Sequence, residues 1–185
     1  MSLEKDLFFA QQSLSELFLV VNKLQIRGEQ YLQDLTIRQM LAIPAIIYAP
    51  KGEATLNYIA REMGTTKQSV KQIVDIMVKK GYVFVEVSKQ DKRAVNVIVT
   101  EKGSEAFREC SGHLDIFLAD IFCDFSSEDL EMLCNLLKKL YRFDGVEPIN
   151  NMNHAVKHEN QSSEISNDIL KFHQKFVNRR MNKNE

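Results

Sequence analysis

The sequence predicts a mainly α-helical protein with one small β-hairpin, an α+β fold class. Apolar residues recur at helical spacing through most of the chain. Between residues 82 and 99, two short segments are instead rich in β-branched and aromatic residues. The chain has 185 residues, of which 44% are hydrophobic. This is enough for one domain with an ordinary core and an extension.

The N-terminal segment, residues 1–34, has the pattern of one long amphipathic helix. Apolar residues recur at intervals of three, four and seven from Leu3 to about Gln33. A terminal segment this apolar needs a partner, and we expect a second subunit to provide it. Thr36 is a suitable N-cap for a second helix to Ile43, and we expect Pro44 to kink, end or displace that helix.

Two short helices follow in the middle of the chain. Thr55 is predicted to cap a helix from Leu56 to Met63, and Thr66 to cap another whose apolar residues continue to Gly81. Two short helices joined by a three-residue turn are typical of a helix-turn-helix motif.

A β-hairpin and two further core helices complete the predicted fold. The strands are 82–87 and 94–99, and the residues between them form a basic tip. Thr100 begins a long helix, Ser126 caps the next, and residues 147–185 have the composition of a linker followed by an amphipathic tail helix. We therefore divide the chain into residues 1–34, 35–100, 101–146 and 147–185.

The charge is unevenly distributed, although the net charge is only -1. Residues 51–103 carry 10 basic and 6 acidic side chains, hence +4, whereas residues 104–150 carry 4 and 10, hence -6. A basic segment beside an acidic one suits a protein with one surface facing phosphate. Chance clustering on solvated faces is the alternative.

Several classes of protein are disfavoured by the sequence. We predict no catalytic site, no metal site and no cofactor, because the histidines are scattered and no phosphate-binding Gly-rich loop is present. The three cysteines have neither CxxC spacing nor an even count, and no export signal or membrane span is recognised. We expect a cytoplasmic protein. The three cysteines are Cys110, Cys123 and Cys134, and the four histidines are His113, His154, His158 and His173.

Double-stranded DNA is the partner that the polar residues of the middle segment suggest. The second helix of a helix-turn-helix reads the major groove with its N-terminal residues. Glutamine can pair with adenine, lysine can approach guanine, and threonine and serine can bind phosphate. A solvated polar face is the alternative. The candidates are Thr66, Lys67, Gln68, Ser69, Lys71 and Gln72 on the helix, with Lys89, Lys92 and Arg93 as electrostatic contacts on the hairpin.

The register of several short motifs resembles the multiple-antibiotic-resistance regulator (MarR) family of winged-helix repressors. The resemblance spans roughly residues 5 to 143, and its most specific part joins a hairpin DxR to a following Thr-Glu-Lys-Gly. The matching residues are Leu35-Thr36-Ile37-Arg38-Gln39, Ile59-Ala60, Val70, Val74, Lys79-Lys80-Gly81, Asp91-Lys92-Arg93-Ala94-Val95 and Val99-Thr100-Glu101-Lys102-Gly103.

The resemblance implies a winged helix-turn-helix protein that regulates transcription, with the hairpin as the wing. It implies a homodimer joined by the first, fifth and sixth helices, which binds a palindromic operator. It also implies that Asp91 orients Arg93 by a charge-assisted hydrogen bond. A plain turn residue is the alternative for Asp91.

Many members of that family respond to small aromatic effectors, and four residues here are candidates to line such a pocket. Plain core packing is the alternative for these aromatic and methionine side chains. They are Tyr31, Met40, Tyr48 and Phe107.

The main competing function is a winged-helix module that binds another protein without specific DNA binding. Salt-sensitive binding to a palindrome distinguishes the two, because only the DNA reader shows it.

Overall fold

The predicted order of helices and strands is confirmed. A computed structural model of the protein describes residues 3–88, 93–145, 174, 176–178 and 181. Its elements are α1 (Leu3–Tyr31), α2 (Ile37–Ile47), α3 (Leu56–Glu62), α4 (Lys67–Lys80), β1 (Val83–Val87), β2 (Val95–Val99), α5 (Glu101–Ile121), α6 (Ser127–Tyr141) and a short 3-10 helix (Arg142–Asp144).

Hydroxyl side chains fix where five of these helices begin. In each case the side-chain oxygen accepts a hydrogen bond from the backbone N–H three residues later, one of the donors that a helix start leaves unpaired. Replacing such a cap by alanine costs about 1 kcal/mol. The N-cap residues are Thr36, Thr55, Thr66, Thr100 and Ser126.

The second helix does not end at Ile43, so one of the expected effects of Pro44 was wrong. Pro44 lies inside α2, and the Tyr48 N–H donates to the Pro44 carbonyl oxygen at 2.9 Å, so the helix continues for another turn. Proline removes a single helical donor here. Burial of Ile43 and Ile46 on either side of it holds the helix against the core.

The hydrophobic core lies between α2, α3, α4 and the hairpin. Its largest fully buried side chains come from all of these elements: Ile43, Ile59, Met77, Val70, Val83 and Val97. β1 and β2 pair antiparallel, with Val83 opposite Val99 and Val87 opposite Val95. The α2–α3 loop joins the same sheet, because the Val97 N–H donates to the Ala54 carbonyl oxygen at 2.9 Å. The hairpin is therefore fixed to the helix-turn-helix.

The contacts of the first helix that are described lie near its C-terminal end. Gly28 is the single buried residue of α1, and a Cβ there would clash with Ile37. The Tyr31 hydroxyl donates to Asp120 Oδ2 at 2.8 Å, and the Tyr31 ring lies 5.1 Å from that of Phe117 on α5. Residues 3–16 are all exposed. Helix α6 buries none of its side chains.

The predicted linker and tail helix lie largely outside the described residues. Within residues 147–185, the described positions 174, 176–178 and 181 are helical. Gln174 Nε2 donates to Asn178 Oδ1 at 3.2 Å. None of the described helices is long and apolar enough to span a bilayer.

Candidate nucleic-acid interface

Helix α4 separates its polar and apolar side chains onto opposite sides. Four of its apolar residues are buried in the core: Val70, Ile73, Val74 and Met77. The predicted contact residues lie on the solvent side or at its border. Thr66, Lys67, Gln68, Lys71 and Gln72 are exposed, and Ser69 is partly buried.

Two of these candidates, Thr66 and Ser69, form the N-cap interaction of α4. The Thr66 hydroxyl oxygen accepts from the Ser69 backbone N–H at 3.2 Å and lies 3.0 Å from the Ser69 hydroxyl oxygen. Thr66 and Ser69 therefore bond to each other, whereas Lys67, Gln68 and Gln72 make no hydrogen bond to another described residue. The side chains open to a ligand at this end of α4 are a lysine and two glutamines.

Lys71 forms an ion pair that the sequence-based prediction did not include. Its Nζ lies 2.8 Å from Asp75 Oδ2, one helical turn further along α4. Both side chains are largely exposed. The i, i+4 spacing of opposite charges was visible in the sequence and would have predicted the pair.

The hairpin brings one predicted basic residue to the surface beside this helix-turn-helix. Arg93 is exposed just before β2. Next to it, the Ser88 N–H donates to the Ala94 carbonyl oxygen at 2.9 Å, across the hairpin. Lys89, Asp91 and Lys92 lie outside the described residues. The predicted hydrogen bond from Arg93 to Asp91 is therefore not among the contacts described.

A cleft of about 360 Å³ lies where α3 meets the base of the hairpin. It contains an arginine that sequence reasoning did not single out. The Arg61 guanidinium lies 5.5 Å from the centre of the Tyr58 ring and makes no hydrogen bond or ion pair with another described residue. Asn57 and Arg61, four residues apart, share one face of α3. The lining residues are Gly52, Glu53, Thr55, Asn57, Tyr58, Arg61, Ser88 and Ala94.

The four candidate effector residues do not line this cleft. Met40 is buried in the core, and Phe107 packs against it. Tyr31 bonds to Asp120 between α1 and α5, and Tyr48 is partly buried at the C-terminal end of α2. Among the described residues, no group of three or more His, Cys, Asp or Glu side chains is placed to hold a metal ion.

Solved structures of transcriptional regulators share this fold. A MarR/EmrR family regulator from Acinetobacter sp. ADP1 is 22% identical, with a TM-score of 0.63, over 74% of this chain and 98% of that one. MepR from S. aureus, solved with DNA, is 23% identical, with a TM-score of 0.61, over 70% and 97%. The organohalide-sensing regulator RdhR, with 2,4-dichlorophenol bound, is 21% identical, with a TM-score of 0.61, over 76% and 80%.

The part of the chain that resembles a known family contains α2, α3, α4 and β1. Residues 33–94 match the MarR family model. This range contains the helix-turn-helix and the first strand of the hairpin. Residues 33–94 are therefore similar in sequence to the MarR family, and the solved regulators share the fold of this chain.

Proposed function

We propose that the protein is a transcriptional regulator that binds a palindromic DNA operator as a homodimer and represses the genes beside it. Lys67, Gln68 and Gln72 carry this proposal. They are exposed at the N-terminal end of α4, opposite its buried stripe, and bond to no other described residue. Glutamine amides can pair with adenine in the major groove, and lysine can approach guanine.

Two arginines supply the sequence-independent part of the proposed contact. Arg61 in the cleft and Arg93 just before β2 are both exposed. Arginines at such positions can bind phosphates and fix the register of the protein on the duplex. We assign Asp91 the role of orienting Arg93. Asp91→Ala should then weaken binding, although the variant gains positive charge.

A second copy of the chain is the partner that we propose for α1 and α6. Phe18 is 65% exposed and Leu14 59% exposed on α1, and Leu136 is 57% exposed on α6. Large exposed apolar surfaces of this kind mark interaction sites. Twofold pairing would direct two α4 helices to successive major grooves, about 34 Å apart.

Selection of bound sites from random duplex DNA by the purified protein tests this function. We expect an enriched imperfect palindrome whose affinity falls steeply with salt. MepR, solved with DNA, supports the choice of ligand. Recovery of no enriched motif would count against sequence-specific regulation.

The second candidate is a protein-docking module without specific DNA binding. The exposed apolar side chains of β1 favour it, because Phe84, Val85 and Val87 are all open to solvent. A docking module would show no salt-dependent preference for a palindrome. The same selection experiment therefore distinguishes the two functions.

We propose that a small aromatic molecule releases the protein from DNA. RdhR, which shares the fold, was solved with 2,4-dichlorophenol bound. The candidate residues for contact with such a molecule are Tyr31, Met40, Tyr48 and Phe107. Fluorescence anisotropy of the operator complex, titrated with phenols and benzoates, measures the release, and no change with any of them would contradict it.

A further inference from the structure

A set of polar contacts joins the C-terminal end of α4 to the start of α5. Helix α4 ends at Gly81, which has a left-handed conformation with φ of 75°. The Tyr82 N–H then donates to the Met77 carbonyl oxygen at 2.9 Å. The Tyr82 side chain is only 6% exposed, and this burial raises the pKa of its phenol. The ring is therefore a fixed, neutral surface at the end of α4.

Thr100 hydrogen-bonds to Gly81 and Tyr82 through both its backbone and its side chain. Its N–H donates to the Tyr82 carbonyl oxygen at 3.0 Å, and its hydroxyl donates to the Gly81 carbonyl oxygen at 2.7 Å. The same hydroxyl oxygen caps α5 by accepting from the Gly103 N–H at 3.0 Å. A Cβ on Gly103 would clash with the Tyr82 carbonyl oxygen, so glycine permits this close approach.

Two lysines complete the contact. Lys102 Nζ donates to the Lys80 carbonyl oxygen at 2.9 Å and lies 5.3 Å from the centre of the Tyr82 ring. Lys80 Nζ lies 5.6 Å from the same ring and donates to the Asp34 carbonyl oxygen. The last carbonyls of a helix lack helical partners and carry the negative end of its dipole. The ammonium of Lys102 therefore satisfies an otherwise unpaired acceptor of α4.

We propose that Lys102 and Thr100 are positioning residues that fix the angle between α4 and α5, and thereby the half-site spacing that the dimer accepts. We call Lys80, Gly81, Tyr82, Thr100 and Lys102 the junction. This inference rests on the proposed function, in which α1 and α6 pair with the second copy and α4 reads the DNA. Helix α5 packs against α1, since Asp120 and Phe117 contact Tyr31. The junction lies at the opposite end of α4 from the side chains that would read bases.

The length of α4 makes a small change of angle important. The helix has 14 residues, so its reading end lies about 21 Å from the junction at 1.5 Å per residue. A rotation of about 10° at the junction then moves that end by about 4 Å, close to the rise of about 3.4 Å per base pair. Loss of a junction contact should therefore broaden the set of spacings that the dimer tolerates.

Lys102→Met is the direct test, because methionine keeps an apolar stem over Tyr82 and removes the ammonium. Lys79→Met is the matched control, since Lys79 is exposed on α4 and makes no hydrogen bond to another described residue. Affinity is measured for palindromes whose half-sites are moved one base pair closer together or further apart. Loss of one hydrogen bond corresponds to a change in an equilibrium constant by a factor of about 3 to 10.

We expect Lys102→Met to reduce the preference for the best spacing by that factor and Lys79→Met to leave it unchanged. Lys102→Arg, which keeps a donor and a positive charge, should restore the preference. Equal weakening at every spacing would overturn the proposal. Failure of the unsubstituted protein to prefer any palindrome contradicts the proposed function instead.

A measurement without DNA tests the junction independently. Spin labels at Gln68→Cys on α4 and Arg108→Cys on α5 report the distance between the two helices, in a background with Cys123→Ser and Cys134→Ser. Labelled protein is diluted with unlabelled protein to isolate distances within one chain. We expect a broader distance distribution in Lys102→Met and an unchanged one in Lys79→Met. An unchanged distribution in Lys102→Met overturns the proposal, whether or not the protein binds DNA.

Discussion

Lys71 and Asp75 form an ion pair along the exposed side of α4, with 2.8 Å between lysine Nζ and aspartate Oδ2. The side chains are 63% and 53% exposed. An exposed pair of this kind contributes only about 0 to 1 kcal/mol to stability. We expect its larger effect on DNA binding, because the carboxylate partly neutralises a lysine on the surface that we propose faces phosphate.

Asp75→Asn should therefore strengthen DNA binding. The substitution frees Lys71 and removes a negative charge from α4, so the affinity at low salt rises. The slope of log affinity against log salt becomes steeper by about 0.9 if one more phosphate is neutralised. The free energy of unfolding should fall by no more than about 1 kcal/mol, the contribution of an exposed pair. Binding is measured by anisotropy across a salt series.

Glu105→Gln is the control for the change in net charge. Glu105 is exposed on α5, and its substitution also removes one negative charge. If Glu105→Gln strengthens binding as much as Asp75→Asn, the effect comes from overall charge and the position of Asp75 is irrelevant.

Gln72→Ala should reduce the recognition of the preferred sequence. The Gln72 amide is exposed on α4, and a bidentate contact to adenine is worth about 1–3 kcal/mol. The loss should appear with the selected palindrome and not with random duplex of the same length. Gln33→Ala, a change at an exposed position outside α4, should alter neither affinity. Equal losses on both DNAs would mean that Gln72 does not read a base.

Unlike Gln72→Ala, the variants Arg61→Ala and Arg93→Ala should weaken binding to both DNAs. Each arginine is proposed to bind phosphate, so its loss should weaken binding to selected and random duplex by similar factors. The slope of log affinity against log salt should become shallower by about 0.9 in each variant. A loss confined to the selected site would reassign that arginine to base recognition.

The boundaries of most elements were predictable because their signals are local. Thr55, Thr66 and Ser126 cap the helices that the sequence assigned to them. A hydroxyl side chain beside an apolar stripe encodes a helix start without reference to the rest of the fold. Pro44 was misjudged because burial of its neighbours outweighs the lost donor, and that burial depends on tertiary packing.

The candidate site was predicted less completely than the fold. The polar side of α4 followed from helical spacing, as the exposure of Lys67, Gln68 and Gln72 confirms. Arg61 was missed because its place in the cleft depends on how α3 meets the hairpin, which sequence periodicity does not report. The contacts of Thr100 with Gly81 link positions 19 residues apart and were equally invisible.

Stability at low pH should depend on Asp129. The Ser126 backbone amide and hydroxyl donate to its carboxylate at 3.0 and 2.9 Å, and these bonds hold the pKa of Asp129 below its ordinary value. The pKa is lowered on folding, so the ionised carboxylate stabilises α6 above the unfolded pKa of about 3.9. That contribution is lost as the pH falls through the lower, folded pKa.

Asp129→Asn separates the charge from the shape of the side chain. The variant should melt at a lower temperature than the unsubstituted protein at pH 7, and the two melting temperatures should converge as the pH falls below about 4. Circular dichroism at a series of pH values measures this. A difference that stays constant down to pH 2 would show that ionisation of Asp129 has no role.

Phe18→Glu should dissociate the proposed dimer. Burying one phenylalanine is worth about 1.5–3 kcal/mol, and a twofold interface contains the residue twice. The dissociation constant should therefore rise about a hundredfold or more. Sedimentation velocity at micromolar concentration should give a dimer for the unsubstituted protein and a monomer for the variant. Since one α4 alone reads only a half-site, affinity for the palindrome should fall with it.

Gln12→Glu provides the matched control on the same helix. Gln12 lies one helical turn from Glu16 and eleven residues from Lys23, on the polar side of α1. The substitution introduces a glutamate without removing an apolar side chain, so the dimer should persist. If Gln12→Glu dissociates the dimer as strongly as Phe18→Glu, then the added charge on α1 causes the effect. A monomeric unsubstituted protein would contradict the dimer itself, and with it the need for a palindrome.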